Sequence, residues 1–269
     1  MHLAAADELD RWAAEVPESA ARLAAALWPG PLTIVLRRAP RLPSAATGGR
    51  DTVGLRVPDH PAATRLLELV GGPVAAPSAN RFGRVSPTTA ADVVADLGSA
   101  VDLVVDGGAC RVGLESTIVE LVDGAPTLLR PGGVPAELIE AVLGRPLRTG
   151  EVGPARASGM LPSHYAPGCR VELVTADALT ARACALAAAG ARVAVLATDP
   201  TPPLDGAPRL IVLPASTTVE EYARTLYRRL READEAGAEV LLAVPPPPEG
   251  LGLAVADRLR RAAAPRPSS

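Results

Sequence analysis

The chain contains no lysine: all 27 of its basic residues are arginine, set against 30 acidic residues for a formal net charge of -3. Lysine chemistry is therefore unavailable, and every cationic contact must come from a planar guanidinium, a group suited to forked bonds with carboxylates and phosphates. The charge gives no global basic footprint for nucleic acid, although a local arginine cluster remains compatible with it. Cysteine is scarce too. Cys110, Cys169 and Cys184 stand far apart with no CxxC pair, which excludes a structural zinc site and a disulfide framework. His2, His60 and His164 are equally scattered. Aromatics make up 2%, so Ala, Val and Leu must fill the core. No apolar run is long enough to span a membrane. The opening Met1-His2-Leu3 lacks the basic start and apolar centre of a signal peptide, so the cytoplasm is the expected location.

What is present is a chain of 269 residues, 48% hydrophobic and 21% charged, enough to pack one large or two ordinary domains. Its excess of Ala, Arg, Pro and Gly is the ordinary signature of GC-rich coding sequence. Apolar periodicity predicts helices over 4–14, 20–26, 59–70 and from Thr88 or Thr89 to 97, with Asp59 as the cap of the third. It predicts strands over 32–36, 52–57, 73–76 and 101–105, and a hairpin pairing 116–121 with 127–129 across Asp123-Gly124. A short helix with proline at its start follows over 135–143. Residues 145–168 are rich in Gly, Pro and Ser and read as a linker between domains. From Arg170 onward, strands at 171–174, 192–197, 210–213 and 240–244 alternate with helices at 178–189, 219–235 and 250–263. This predicts a small, mostly parallel sheet covered by helices. No GxGxxG follows its first strand.

Polar residues at strand ends are the candidates for chemistry. Arg56 interrupts an apolar strand, Thr52-Val53-Gly54-Leu55-Arg56-Val57-Pro58, where a guanidinium either meets an anionic ligand or is an exposed ion-pairing arginine. Ser78 and Asn80 leave an expected strand at a tight turn, as a ligand loop or as an ordinary Asx turn. Ser116 and Thr117 place adjacent hydroxyls at a strand start, where the alternative is plain β-propensity. Arg130 precedes Pro131-Gly132-Gly133 and reads equally as a solvated strand-end arginine. Chemistry in such a set comes from positioning and charge stabilisation.

Trp28-Pro29-Gly30-Pro31-Leu32-Thr33, Thr52 through Pro58, Ala76-Pro77-Ser78-Ala79-Asn80, Ser86-Pro87-Thr88, Glu115-Ser116-Thr117-Ile118 and Leu129-Arg130-Pro131-Gly132 follow one another along the chain, and in this order they together resemble the threonylcarbamoyl-AMP synthase family. Ser163-His164-Tyr165-Ala166-Pro167 and the tail from Gly250-Leu251-Gly252 to Arg258-Leu259 resemble the long form of the family. The resemblance implies an α/β protein with a YrdC-like twisted mixed sheet and concave cavity at 1–144, a linker acting as a lid at 145–168, and a smaller Rossmann-like α/β domain at 169–269. It implies a nucleotidyltransferase forming threonylcarbamoyl-AMP and pyrophosphate from L-threonine, bicarbonate and ATP. Downstream proteins then transfer the threonylcarbamoyl group to tRNA, with which a contact, including one to double-stranded RNA, is also expected. By resemblance, Arg56, Ser78 and Ser116 hold L-threonine, while Thr52, Asn80, Thr88, Arg130 and Tyr165 contact ATP. Mg2+ accompanies the nucleotide; no metal held by the protein and no membrane association are expected.

Family members carry, before the first matching segment, a stretch with a Lys-x-Arg pair that contacts the ATP phosphates, and this lysine-free chain does not contain it. The resemblance thus implies impaired adenylate formation and an exposed sheet edge that lowers solubility. The alternative reading is a non-catalytic RNA- or nucleotide-binding module. The related carbamoyl-transfer domain of hydrogenase maturation is set aside, because three isolated cysteines do not supply its zinc motifs.

Overall fold

The computed structural model describes residues 1–122, 124–149, 164–198 and 209–265. Along the chain run α1 (Leu9–Trp12), α2 (Glu18–Leu27), β1 (Leu32–Arg37), β2 (Thr52–Leu55), α3 (Pro61–Val70), α4 (Ala90–Leu97), β3 (Thr117–Glu120), β4 (Thr127–Arg130), α5 (Ala136–Leu143) and β5 (Arg148–Thr149). They continue with β6 (Arg170–Leu173), α6 (Ala176–Ala188), β7 (Val193–Leu196), β8 (Leu210–Val212), α7 (Val219–Glu235), β9 (Val240–Ala243) and α8 (Leu251–Ala263). Contacts group the residues into two units, Met1–Pro77 with Glu115–Met160, and Ser78–Leu114 with Leu161–Ser269.

The first unit is built on a mixed sheet of order β2-β1-β3-β4-β5. β1 pairs antiparallel with β2 and parallel with β3, β3 pairs antiparallel with β4, and β4 parallel with β5. Side chains alternate between faces along each strand. Leu32, Ile34, Leu36, Val53, Leu55 and Val119 all point one way and are buried. The opposite face has only a thin apolar belt of Val35, Ile118 and Leu129, with Val122 packed on it. A face with so little hydrophobic cover at its centre is free to be polar at its ends, and the candidate residues lie there.

The second unit carries an all-parallel sheet of order β6-β9-β7-β8. Its strands read as continuous apolar runs because both faces are covered. Leu179 and Ala183 of α6 pack with Val193, Val195, Val240 and Leu242 on one face. Tyr222, Leu226 and Leu230 of α7 and Val255 and Leu259 of α8 cover Ala194, Leu196, Leu241 and Ala243 on the other. The alternation read from the sequence is therefore present, with strand and helix bounds shifted by a residue or two.

Residues 78–114 join this second unit, whereas the sequence order places them with the first domain. Their packing explains the difference. Val85 and Leu114 sit in the cluster formed with Tyr227 and Leu230. Arg231 of α7 donates to the Val85 carbonyl at 2.7 Å and lies 3.7 Å from Asp92 of α4. Gly113, at φ 77, rests against the Arg224 backbone of α7, where a Cβ would come within 2.4 Å.

Several sequence expectations are corrected. Residues 73–76 form no strand; Val74 makes only a bridge to His2, and Ala75 through Ser78 are exposed. Residues 101–105 form no strand either, with Leu103 80% and Val105 70% exposed. An apolar run becomes a strand only with a partner to pair with, and among the described residues neither run has a neighbouring strand. Helix α3 is capped by His60 rather than Asp59, with no side-chain cap bond. Pro61 at its first turn already lacks one of the donors that a cap would serve. The α4 start agrees with expectation: Thr89 accepts from the Asp92 N–H, and Asp92 bonds back to the Thr89 N–H. Of the expected linker 145–168, Arg148–Thr149 pairs as β5, residues 164–168 are described with the second unit, and 150–163 lie outside the described residues. Asp123 of the hairpin turn also lies outside them.

Candidate functional site

Strand direction brings three candidate positions of the first unit, together with Thr33, to one end of one sheet face. β1 begins there and β2 ends there, because they run antiparallel with Ile34 opposite Leu55. Extending that register by one residue sets Thr33 opposite Arg56. β3 runs parallel to β1, so its start, Ser116, reaches the same end, and β4 returns antiparallel to bring Arg130 opposite Ile118. Residues opposite each other share a face, so Thr33, Arg56, Ser116 and Arg130 all point to the side of the thin Val35–Ile118–Leu129 belt.

Specific bonds hold these side chains. Arg56 Nε donates to the Gly30 carbonyl at 2.9 Å, which directs the rest of its guanidinium. Gly30 is placed for this by its own N–H, which donates to Val57 O at 2.9 Å. The Thr33 and Ser116 hydroxyls lie 2.7 Å apart. Arg130, 6% exposed, donates to the Ser116 carbonyl through Nε at 3.2 Å and Nη2 at 2.8 Å, and Nη2 also reaches Ser116 Oγ at 3.3 Å. Beneath Ser116, Gly132 permits an approach no other residue allows: a Cβ would stand 2.4 to 2.5 Å from Glu115 O, Ser116 C and Thr117 N. The Thr117 hydroxyl faces the other side, donating to Val134 O at 2.6 Å and accepting from Val134 N–H at 2.9 Å. Two guanidinium groups and two hydroxyls thus gather at one end of the sheet face, a donor set suited to an anionic oxygen.

Thr52 does not join this group. It opens β2 and pairs with Arg37, four residues from Arg56, which is roughly 13 Å along a strand. The remaining candidates belong to the second unit. Ser78 is exposed. The Asn80 amide donates to Arg81 O at 2.9 Å and Arg84 O at 3.2 Å, and its buried Oδ1 accepts no hydrogen bond from any described residue. The Thr88 hydroxyl donates to Asp92 at 3.2 Å. Burial opposes ionisation of Asp92, but bonds from Thr88 and Thr89 and the nearby Arg231 outweigh it and hold the carboxyl below its usual range. Tyr165 adopts φ 61 and is 1% exposed. Its ring stacks on Tyr227 at 5.7 Å, with the Arg258 guanidinium 5.0 Å from its centroid and the His164 ring edge-on at 4.1 Å. The ring expected to cover a nucleotide is thus seated in the core of the second unit. Gly30, Thr33 and Gly132 fall inside the family-like segments but draw no role from sequence alone. Only the β1–β2 register, extended by one residue to set Thr33 opposite Arg56, exposes the first two.

His2 stands beside the site. Its backbone pairs with Val74, and Leu3 N–H donates to Arg56 O at 2.8 Å. Burial, then the Arg56 guanidinium and the chain's amino terminus, pushes the His2 imidazole down from 6.5 to about 4. A depressed histidine favours the neutral form in the folded state, so stability is lost as pH falls from 6.5 towards 4. Between pH 7 and pH 4 we expect His2 to remove up to about 3 kcal/mol. Urea unfolding at both pH values, compared with His2→Asn, measures this. A variant that loses as much stability as the unaltered chain overturns it.

The architecture, a YrdC-like twisted mixed sheet with an arginine- and hydroxyl-lined end followed by a parallel α/β domain, defines a class of two-part α/β enzymes. A family model described as telomere recombination matches residues 1–132, and one described as threonylcarbamoyl-AMP synthase, C-terminal domain, matches residues 134–264. Threonylcarbamoyl-AMP synthase from Pyrococcus abyssi is 41% identical over 273 residues, covering 97% of this chain and 78% of that protein. The Bacillus subtilis synthase is 36% identical over 271 residues, covering 98% and 78%. The crystal structure of a P. abyssi relative complexed with L-threonine agrees with a TM-score of 0.87 at 40% identity, covering 97% of this chain and 78% of that one. A P. abyssi variant with an adjacent histidine and tyrosine changed to alanine agrees with a TM-score of 0.88 at 40% identity, covering 97% and 77%. The adjacent His-Tyr pair of this chain is His164-Tyr165. The chain belongs to the threonylcarbamoyl-AMP synthase family, and is an enzyme of the transferase class. Among the described residues, no helix is long and apolar enough to cross a membrane.

Proposed function

We propose that this chain forms threonylcarbamoyl-AMP and pyrophosphate from L-threonine, bicarbonate and ATP, supplying threonylcarbamoyl for transfer to tRNA by downstream proteins in the cytoplasm. The observation that carries the reading is the gathering of Arg56, Ser116 and Arg130 at one end of one face. Arg56, its Nε held by Gly30, offers its fork to the amino-acid carboxylate, and Ser116 offers a hydroxyl beside it. Arg130, locked across Ser116, places positive charge where a phosphate oxygen gains negative charge. The family resemblance alone adds Ser78 for L-threonine and Thr52, Asn80, Thr88 and Tyr165 for ATP; among these, Asn80 Oδ1 keeps an acceptor position that no described residue fills.

The chemistry asks for positioning more than for acid or base groups. The threonine nitrogen bonds to the carbon of bicarbonate with loss of water. An oxygen of the resulting carbamate then bonds to the α-phosphorus as the bond to the pyrophosphate oxygen breaks. A guanidinium aimed at the developing charge lowers that barrier. Mg2+ arrives with the nucleotide. Among the described residues no group of three or more His, Cys, Asp or Glu side chains stands together. A non-catalytic RNA-binding module is disfavoured, because Arg56 and Arg130 spend donors on Gly30 and Ser116 rather than presenting an open basic face.

Isothermal titration of the chain with L-threonine, with and without ATP, tests the reading, alongside threonine-dependent release of pyrophosphate. Saturable binding that prefers L-threonine to L-valine supports it. Equal affinity for the two, or none for either, overturns it.

A further inference from the structure

Thr33 lies on the middle strand, β1; extending its register with β2 by one residue sets it opposite Arg56, just past the end of β2, and its hydroxyl lies 2.7 Å from that of Ser116, just before β3. Its methyl group lies against Gly54, where a Cβ would stand 3.0 Å from Thr33 Cγ2. A β-branched side chain is stiff about χ1, so a methyl seated over Gly54 leaves the hydroxyl directed at β3. There it meets Ser116 Oγ at 2.7 Å, its hydrogen-bond partner among the described residues. Ser116 Oγ is also the acceptor of Arg130 Nη2 at 3.3 Å. A hydroxyl has one proton to give and two lone pairs to fill. Either hydroxyl can donate across this contact; with Thr33 as the donor and Arg130 filling the other lone pair of Ser116, the Ser116 proton is left for a ligand at the sheet end shared with Arg56.

We infer that Thr33 is a positioning residue for L-threonine binding, fixing Ser116 as a hydrogen-bond donor to an anionic oxygen of the amino acid; the inference rests on the proposed threonine subsite. Without the Thr33 donor, Ser116 is free to turn its proton inward, and an anion then meets a lone pair instead.

Titration calorimetry with L-threonine on the unaltered chain, Thr33→Val, Thr33→Ser, Ser116→Ala and the double variant Thr33→Val/Ser116→Ala decides this. Valine keeps the shape of threonine and its methyl over Gly54, so the fold is retained, which the thermal midpoint checks. We expect Thr33→Val to weaken binding about tenfold, the range for a hydrogen bond serving a charged group. Thr33→Ser restores affinity to within about twofold, and the double variant binds no more weakly than Ser116→Ala, because the two hydroxyls act as one unit. A merely structural role would leave the serine rescue and the non-additivity unexplained. If the unaltered chain binds and Thr33→Val binds equally well, or if the two substitutions add independently, the inference falls while the threonine subsite stands. If the unaltered chain shows no saturable binding, the subsite reading falls and takes the inference with it.

Discussion

Arg56→Ala lowers affinity for L-threonine by roughly 30- to 150-fold, equivalent to about 2–3 kcal/mol, the range of a charge-assisted bond to a carboxylate. The size of the effect follows from how the side chain is held. Arg56 is half-buried at the end of β2, and its Nε is committed to the Gly30 carbonyl at 2.9 Å. The fork is therefore set before the ligand arrives, and little side-chain entropy remains to be lost on binding. Arg56→Lys does not restore the wild-type affinity, because one ammonium cannot both hold Gly30 O and present a planar pair of donors. Titration calorimetry on both variants measures this. A change of less than about threefold in Arg56→Ala means the carboxylate is held elsewhere.

Gly132→Ala destabilises the first unit by about 3 kcal/mol, a fall of roughly 10 °C in thermal midpoint. The added Cβ would lie 2.4 to 2.5 Å from backbone atoms of Glu115, Ser116 and Thr117, and backbone cannot swing aside as a flexible side chain does. Relief has to come from parting β3 from the turn after β4, which breaks the Gly133 N–H bond to Glu115 O at 2.9 Å and the Thr117–Val134 pair. It also shifts Ser116, so weakened threonine binding accompanies the lost stability. Gly71→Ala is the control: that glycine sits at φ 67 after α3 with open space around its Cβ position, so it costs roughly 1 kcal/mol. Thermal unfolding followed by circular dichroism compares the two. Equal midpoints would show that the turn yields and that the close approach carries no structural weight.

Much of the second unit is legible in the sequence. Helix α7 matches its expected span, 219–235, because its apolar stripe is long and Thr218 accepts from Glu221 N–H at its start. The parallel strands are legible because burial on both faces makes them continuous apolar runs bounded by helices. The 73–76 and 101–105 segments have the same apolar character, but composition says nothing about whether a partner strand lies alongside. Arg56, Ser116 and Arg130 are visible as strand-end polar residues, yet their common location depends on the β2-β1-β3-β4 order, which joins strands far apart in the chain. Thr33 is harder still: in a run of apolar residues a threonine reads as β-propensity, and its link to Ser116 spans 83 residues. Tyr165 stands out as an aromatic in a Gly- and Pro-rich stretch, but its packing on Tyr227 and Arg258 involves residues of helices that the local pattern does not connect to it.

The threading of residues 78–114 into the second unit sets the order in which the protein can mature on a ribosome. When residue 77 emerges, β1 and β2 exist, but β3, the strand that pairs with β1 on its other side, is still unmade. The nascent hairpin must then wait while a segment destined for other neighbours passes by. That segment waits longer, because its anchors, Arg224 and Arg231 of α7, are made more than 100 residues after its end at Leu114. Both units therefore close late, through contacts between distant parts of the chain, and strand edges stay unpaired in the interval. A fragment cut at residue 132, where the first family match ends, would carry residues 78–114 without any of the α7 surface on which they pack.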